Sequence, residues 1–249
     1  MPAERLSLAG DDTLRVERVR APGHGNQWGE VHRSPNRRWI LPGTGGVQMR
    51  SGAGQLLVDE LTAFHLARGQ DYQLQHEAPR AHLVLSRSLA DEEPPAKAWL
   101  VAPRELYRLR LAARALREGA ALEGVARDVD VSLARSRALA TDPAPVPLQR
   151  ARRLLMAEGG HAQRLEVLGE AAACSPFHLS RLFVRHLGVS PHQYRLQLRL
   201  ATALGRLEDG EHDLAGLAHD LGFASQSHFG AVFRRAIGVT PAQARKALV

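Results

Sequence analysis

The strongest constraint on this chain is that part of it is written twice. Aligned 50 residues apart, Ser175 matches Ser225, His178 matches His228, Phe183 matches Phe233 and Arg185 matches Arg235. Gly188-Val189-Ser190-Pro191 matches Gly238-Val239-Thr240-Pro241 at the same spacing. Upstream of the serines the offset falls to 49, pairing Leu165 with Leu214, Leu168 with Leu217 and Ala173 with Gly222. A one-residue slip inside a duplication belongs in a turn between two helices. The chain therefore predicts two helix–turn–helix units.

Each copy carries its own punctuation. Ser175 can cap a helix that starts at Pro176, and Gly188 can end it in a left-handed conformation. Ser190 with Gln193, and Thr240 with Gln243, fit the capping box, a hydroxyl at N-cap and a glutamine three residues on. Between the copies, PHQYRLQLRLATALGRLE (191–208) predicts a rigid helix about 25 Å long. That length can hold two recognition helices about one DNA turn apart, ~34 Å, on one face of a duplex.

CSPFHLSRLFVRHLGVSPHQYRLQLRL and LAHDLGFASQSHFGAVFRRAIGVTP resemble the two halves of the AraC-family DNA-binding domain, over about 148–249. The resemblance implies that the second helix of each unit enters the major groove of double-stranded DNA. It puts Phe177, Ser180 and Arg181 at base-contacting positions, Phe177 by apolar contact. RNA polymerase is a further partner that it suggests, and a homodimer is the expected assembly.

Side-chain chemistry sharpens these positions. In the first copy Leu179, Leu182, Phe183 and Leu187 form the inward face, leaving Phe177, His178, Ser180, Arg181 and Arg185 outward. The Arg181 guanidinium can bond guanine O6 and N7 together. Arg185, one turn on, suits a phosphate, which sets register rather than sequence. In the second copy Phe229, Phe233 and Ile237 point inward. Ser225, Gln226 and Ser227 are its candidate DNA contacts, Gln226 as a partner for adenine. Arg234 and Arg235 are candidate phosphate contacts. Gly230-Ala231 stands where many relatives carry Ser-Arg, and Ala173 stands where relatives usually have glycine.

Charge agrees with a nucleic-acid partner. The net charge is +7, and residues from Leu148 onward hold 13 Arg and Lys against 8 Asp and Glu. The basic excess thus sits mostly in the C-terminal part. The single cysteine, Cys174, excludes an intramolecular disulfide and a four-cysteine zinc site, and reads as a small buried apolar residue. No apolar run approaches the ~18 residues of a membrane span, and the N-terminus lacks the layout of a signal peptide. The expected location is the cytoplasm.

The N-terminal part follows a different rhythm. LRVERVRA (14–21), QWGEVHR (27–33), RWIL (38–41), GVQMR (46–50), QLLVD (55–59), LTAFHLA (61–67), YQLQH (72–76) and AHLVLSR (81–87) read as short strands between turn residues. Many short strands predict a sandwich or barrel, and the segment resembles the family's cupin-like sensing domain. After DEEPP (91–95) the period becomes helical, with Leu106, Leu109, Ala113 and Leu116 on one stripe and a second helical stretch at roughly 120–140. The expected fold is an α+β multidomain chain. A cupin-like β-barrel or sandwich at 1–90 senses an effector not named by the sequence, and a helical dimerisation segment at 91–141 leads to a linker at 142–147. An all-α DNA-binding domain with two helix-turn-helix units closes the chain at 148–249.

No catalytic constellation stands out. His65, His76 and His82 fall on or beside strands, but the His-x-His pair of a cupin metal site is missing, so neither metal nor cofactor is expected. The leading expectation is a ligand-controlled transcription regulator. A cupin-type enzyme with a DNA-binding tail and a ligand-independent regulator stay open.

Overall fold

The computed structural model describes residues 4–21, 27–43, 46–52, 54–75, 80–87, 97–140, 144–157 and 163–249. It divides into two compact units, one of Met1–Val101 with Ala115–Ala144, the other of Ala102–Arg114 with Pro145–Val249.

The first unit is a β-sandwich of two antiparallel sheets. Its strands are β1 (Glu4–Gly10), β2 (Leu14–Ala21), β3 (His32–Arg33), β4 (Arg37–Leu41), β5 (Val47–Ser51), β6 (Gly54–Val58), β7 (Thr62–Leu66), β8 (Asp71–Gln75), β9 (Arg80–Arg87), β10 (Ala98–Leu100) and β11 (Arg137–Ala138). One sheet runs β1-β2-β9-β4-β7-β10-β11 and the other β3-β8-β5-β6. Central β7 is buried at every position, so its hydroxyl and the turn before it must be hydrogen-bonded internally. The Thr62 hydroxyl donates to Asp59 Oδ1 at 2.7 Å, and the Leu61 N–H reaches the same oxygen at 3.0 Å. His65 packs against the Trp39 ring at 4.8 Å, a structural position for one of the three histidines singled out in the sequence. His82 lines the interior of the sandwich, and His76 lies outside the described residues.

Helix α1 (Pro103–Arg117) buries the expected Leu106, Leu109, Ala113 and Leu116. Helix α2 (Leu122–Ala134) lies on the sandwich, where Arg87 from β9 donates to Asp130 at 2.7 Å and to the Ala126 carbonyl at 3.3 Å.

Strand β1 and short strands β10 and β11 were not foreseen in the sequence, while QWGEVHR yields only the two-residue β3. Strand β1 is an edge strand whose residues are mostly exposed, so it carries no alternating apolar pattern. Helix α3 begins at Val146, within the span read as a linker, because Pro147 is tolerated in a first helical turn.

The second unit is all helix: α3 (Val146–Met156), α4 (Leu165–Ala171), α5 (Pro176–Leu187), α6 (Pro191–Glu208), α7 (Leu214–Asp220), α8 (Gln226–Ile237) and α9 (Pro241–Leu248), with the first turns of α1. Its core gathers Leu148, Leu168, Phe183, Tyr194, Leu204, Leu217, Phe229 and Phe233, all fully buried. Buried Arg152 donates from Nε to the Tyr194 hydroxyl at 2.8 Å. That bond gives a desolvated guanidinium one of the partners it requires. Arg110 of α1 pairs with Glu208 of α6 at 2.5 Å, and Arg114 donates to the Lys246 carbonyl at 3.2 Å. The first turns of α1 are thus built into the helical unit.

Candidate nucleic-acid interface

Both turns between paired helices close in the same way. In the first unit the Ala173 N–H donates to the Glu170 carbonyl at 2.9 Å and the Cys174 N–H to the Gly169 carbonyl at 3.0 Å. In the second, the Gly222 N–H reaches His219 and the Phe223 N–H reaches Ala218, both at 2.9 Å. This is the Schellman pattern, and it needs a left-handed residue just past the helix end. Gly222 sits there at φ +71°, and Ala173 takes the same conformation at +54°. Among the described residues Ala173 alone has positive φ without being glycine.

The recognition helices then start from matched caps. The Ser175 hydroxyl accepts from the His178 N–H at 3.2 Å, and the Ser225 hydroxyl from the His228 N–H at 3.1 Å. Left-handed Gly188 and Gly238 end the two helices. Both foreseen capping boxes form, at Ser190 with Gln193 and at Thr240 with Gln243.

Burial along residues 177–190 repeats position for position along 227–240. Leu179, Phe183 and Leu187 are buried in α5, as are Phe229, Phe233 and Ile237 in α8. Leu182 is only half-buried, as are Ser180 and Gly230. The exposed positions of α5 are Phe177, His178, Arg181, Val184 and Arg185; those of α8 after its first residue are Ser227, His228, Ala231, Arg234 and Arg235. Ser225 and Gln226 are exposed as well, although the Ser225 hydroxyl is already engaged as a cap.

Phe177 is 73% exposed, and the Arg181 guanidinium lies 5.8 Å from its ring centre. Phe177, His178, Ser180, Arg181, Leu182, Val184 and Arg185 line one surface groove. Exposed Val184 was missed in the sequence reading. Its signal was present, since the 50-residue offset pairs it with Arg234.

Electrostatics separates structural arginines from available ones. Arg206 is held by Asp220 at 2.7 Å and Glu211 at 2.6 Å, bonds that raise its pKa and fasten α7 beside α6. The hydrogen bond from Arg206 likewise holds the Glu211 carboxyl below its usual range. Arg199 donates to the Gly222 carbonyl at 3.2 Å and lies 5.8 Å from the Phe223 ring centre, so it braces the second turn. Burial, and then nearby Arg195, lower its pKa. Arg181, Arg185, Arg234 and Arg235 are exposed and enter no ion pair among the described residues. Exposed unpaired guanidiniums on two recognition helices are suited to phosphates and base edges.

Two copies of one helix–turn–helix, joined by the 18-residue α6 and each presenting a cationic second helix, define a tandem helix-turn-helix DNA-binding unit. Residues 168–247 match the family model described as a helix-turn-helix domain. The chain is 33% identical over 88 residues to the HTH-type transcriptional regulator Rv1931c of Mycobacterium tuberculosis, covering 35% of this chain and 34% of the relative. It is 32% identical over 81 residues to the HTH-type transcriptional activator RhaS of Escherichia fergusonii, covering 32% of this chain and 29% of that one. A solved transcriptional regulator with an AraC-type DNA-binding domain, from Chromobacterium violaceum, is 26% identical with a TM-score of 0.38, covering 41% of this chain and 92% of that chain. The chain spans about a third of the length of the two curated relatives. Its C-terminal unit is thus a helix-turn-helix domain similar to those of AraC-like transcription regulators.

Among the described residues no group of three metal-ligating side chains comes together, and no helix is long and apolar enough to cross a membrane.

Proposed function

We propose that this protein is a transcription regulator that docks α5 and α8 into successive major grooves of double-stranded DNA. The observation that carries the reading is the position-for-position repeat of burial and capping, which exposes equivalent faces of two helices bearing unpaired arginines. Arg181, flanked by Phe177 and Ser180, reads bases in the first half-site, and His178 and Arg185 face the backbone. In the second half-site Gln226 and Ser227 approach the bases beside Ser225, while Arg234 and Arg235 hold phosphates. The β-sandwich is the sensing domain, and an effector in its cavity biases how the recognition helices meet the promoter. The protein acts as a homodimer in the cytoplasm, and neighbouring RNA polymerase is its second macromolecular partner.

Selection of binding sites from random duplexes tests the DNA reading. The expected motif has one strong and one weak half, about one helical turn apart. Recovery of no motif, or a footprint confined to one half-site, refutes docking through both units.

A further inference from the structure

The interior of the sandwich holds a cavity of about 60 Å³. Its walls are largely aliphatic and aromatic, Ile40, Leu41, Val58, Phe64, Leu66 and Val84 among them, yet Arg38 and Arg5 also line it. A guanidinium in such a place needs a reason. Arg38 Nε is buried with no hydrogen-bond partner among the described residues. Arg38 also enters no ion pair among them, whereas Arg5 is shared with Glu17 at 3.4 Å. Burial, and the repulsion of neighbouring Arg5, both push Arg38 below the usual arginine range, and Tyr72 and Glu17 offset this in part. Asp59, also at the wall, has Oδ1 taken by the Leu61 N–H and the Thr62 hydroxyl.

We infer that this cavity binds a short-chain monocarboxylate, its carboxylate on Arg38 and Arg5 and its alkyl end against the aliphatic wall. This rests on the reading of the sandwich as the sensing domain and names the class of its effector. Arg38 is held on one side by Tyr72, but its Nε has no partner among the described residues. Arg38 and Arg5 face the engaged carboxylate of Asp59, which leaves room for one further negative charge, and the planar fork of arginine matches a carboxylate's two oxygens. The apolar wall disfavours inorganic anions, which would lose hydration on every side. Size sets the chain length. A cavity of this size exceeds the about 10–15 Å³ that admits a single water yet stays small, which favours an acid of a few carbons over a long chain.

Calorimetric titration of the full chain with acetate, propionate, butyrate, hexanoate and butyramide tests the inference. Binding should strengthen from acetate to butyrate, weaken at hexanoate and vanish for butyramide. Arg38→Gln should weaken butyrate about 10- to 100-fold, the loss of a charge-assisted contact. Arg5→Gln should weaken it less, and Arg68→Gln, exposed and away from the cavity, should leave it unchanged. Circular dichroism confirms that each variant is folded. The inference is overturned if no acid binds, if butyramide binds as well as butyrate, or if folded Arg38→Gln and Arg5→Gln proteins both keep wild-type affinity. Duplex binding measured in parallel separates the two readings. A chain that binds DNA but no acid loses only this effector, and one that binds acids but no DNA loses the regulator.

Discussion

Replacing Ala173 by glycine should make the helical unit more stable, against the usual expectation for a glycine substitution. Ala173 closes the first turn at φ +54°, where its Cβ crowds the following carbonyl. That conformation costs an alanine about 1–2 kcal/mol, and glycine escapes it while adding about 0.5–1 kcal/mol of unfolded-chain entropy. The net gain is about 0.5–1 kcal/mol, a shift of roughly 2–8 °C for a unit of this size. Gly222→Ala is the mirror experiment at φ +71°, where the new Cβ would also stand 3.3 Å from Arg199 Nη2. It should lose at least as much as Ala173→Gly gains. Far-UV circular dichroism follows the helices, and tryptophan fluorescence supplies an internal reference, because Trp28, Trp39 and Trp99 all lie in the first unit. An Ala173→Gly protein that melts at or below the wild-type temperature, with Gly222→Ala tolerated, would refute the claim that the turn imposes the left-handed conformation.

Four further outcomes follow from the same contacts. Arg181→Ala should lower affinity for the selected site by about 1–3 kcal/mol and relax one base preference, measured by competition with mutated duplexes; equal weakening on random DNA would remove it as a base reader. Arg185→Ala should weaken every duplex alike and reduce the salt slope by about one, read from titrations at several ionic strengths. Arg110→Ala removes the guanidinium that meets Glu208, 13% exposed, and should cost about 1.5–3 kcal/mol in urea denaturation, more than the Arg110→Met, Glu208→Leu pair. Because Arg206 holds the Glu211 carboxyl below its ordinary range, that contact's stability is present above the ordinary carboxylate pKa and fades as pH falls through the lowered one. Glu211→Gln should therefore melt lower than wild type near neutrality and converge with it in acid.

What was legible in the sequence was what local chemistry decides. Ser175, Ser190, Thr240, Gly188 and Gly238 act within one helical turn of themselves, so a cap can be read without knowing the fold. The apolar stripe of α1 was likewise visible, but its place was not. Arg110 meets Glu208 across 98 residues, and no periodicity announces such a pair. In the sandwich, exposed β1 offers no alternation to detect, and three-residue β10 is too short for any. Arg38 looked like an ordinary strand-end charge beside Trp39. Only the packing of two sheets turns it toward an apolar cavity.

The two recognition helices are best understood as one scaffold with two vocabularies. Because their burial patterns coincide, each outward position of α5 has a counterpart in α8: Phe177 and Ser227, His178 and His228, Arg181 and Ala231, Val184 and Arg234, Arg185 and Arg235. The first helix places its central arginine between two exposed apolar side chains. An arginine so flanked exchanges water for guanine in a drier setting, where its bidentate bond discriminates more strongly, and the apolar neighbours can meet thymine methyl groups. In the second helix the centre is small, with Gly230 and Ala231, and its charge has moved to Arg234 and Arg235 in the last turn. On the proposed docking, small residues would let the helix approach the groove closely but offer few base contacts, and the paired arginines at its end would hold phosphates whatever the sequence. Under the proposed docking, the duplication keeps the geometry of two equal readers while dividing the labour, with most specificity at α5 and mainly register and affinity at α8. The arginine missing at Ala231 and the arginine gained at Arg234 are two sides of that division.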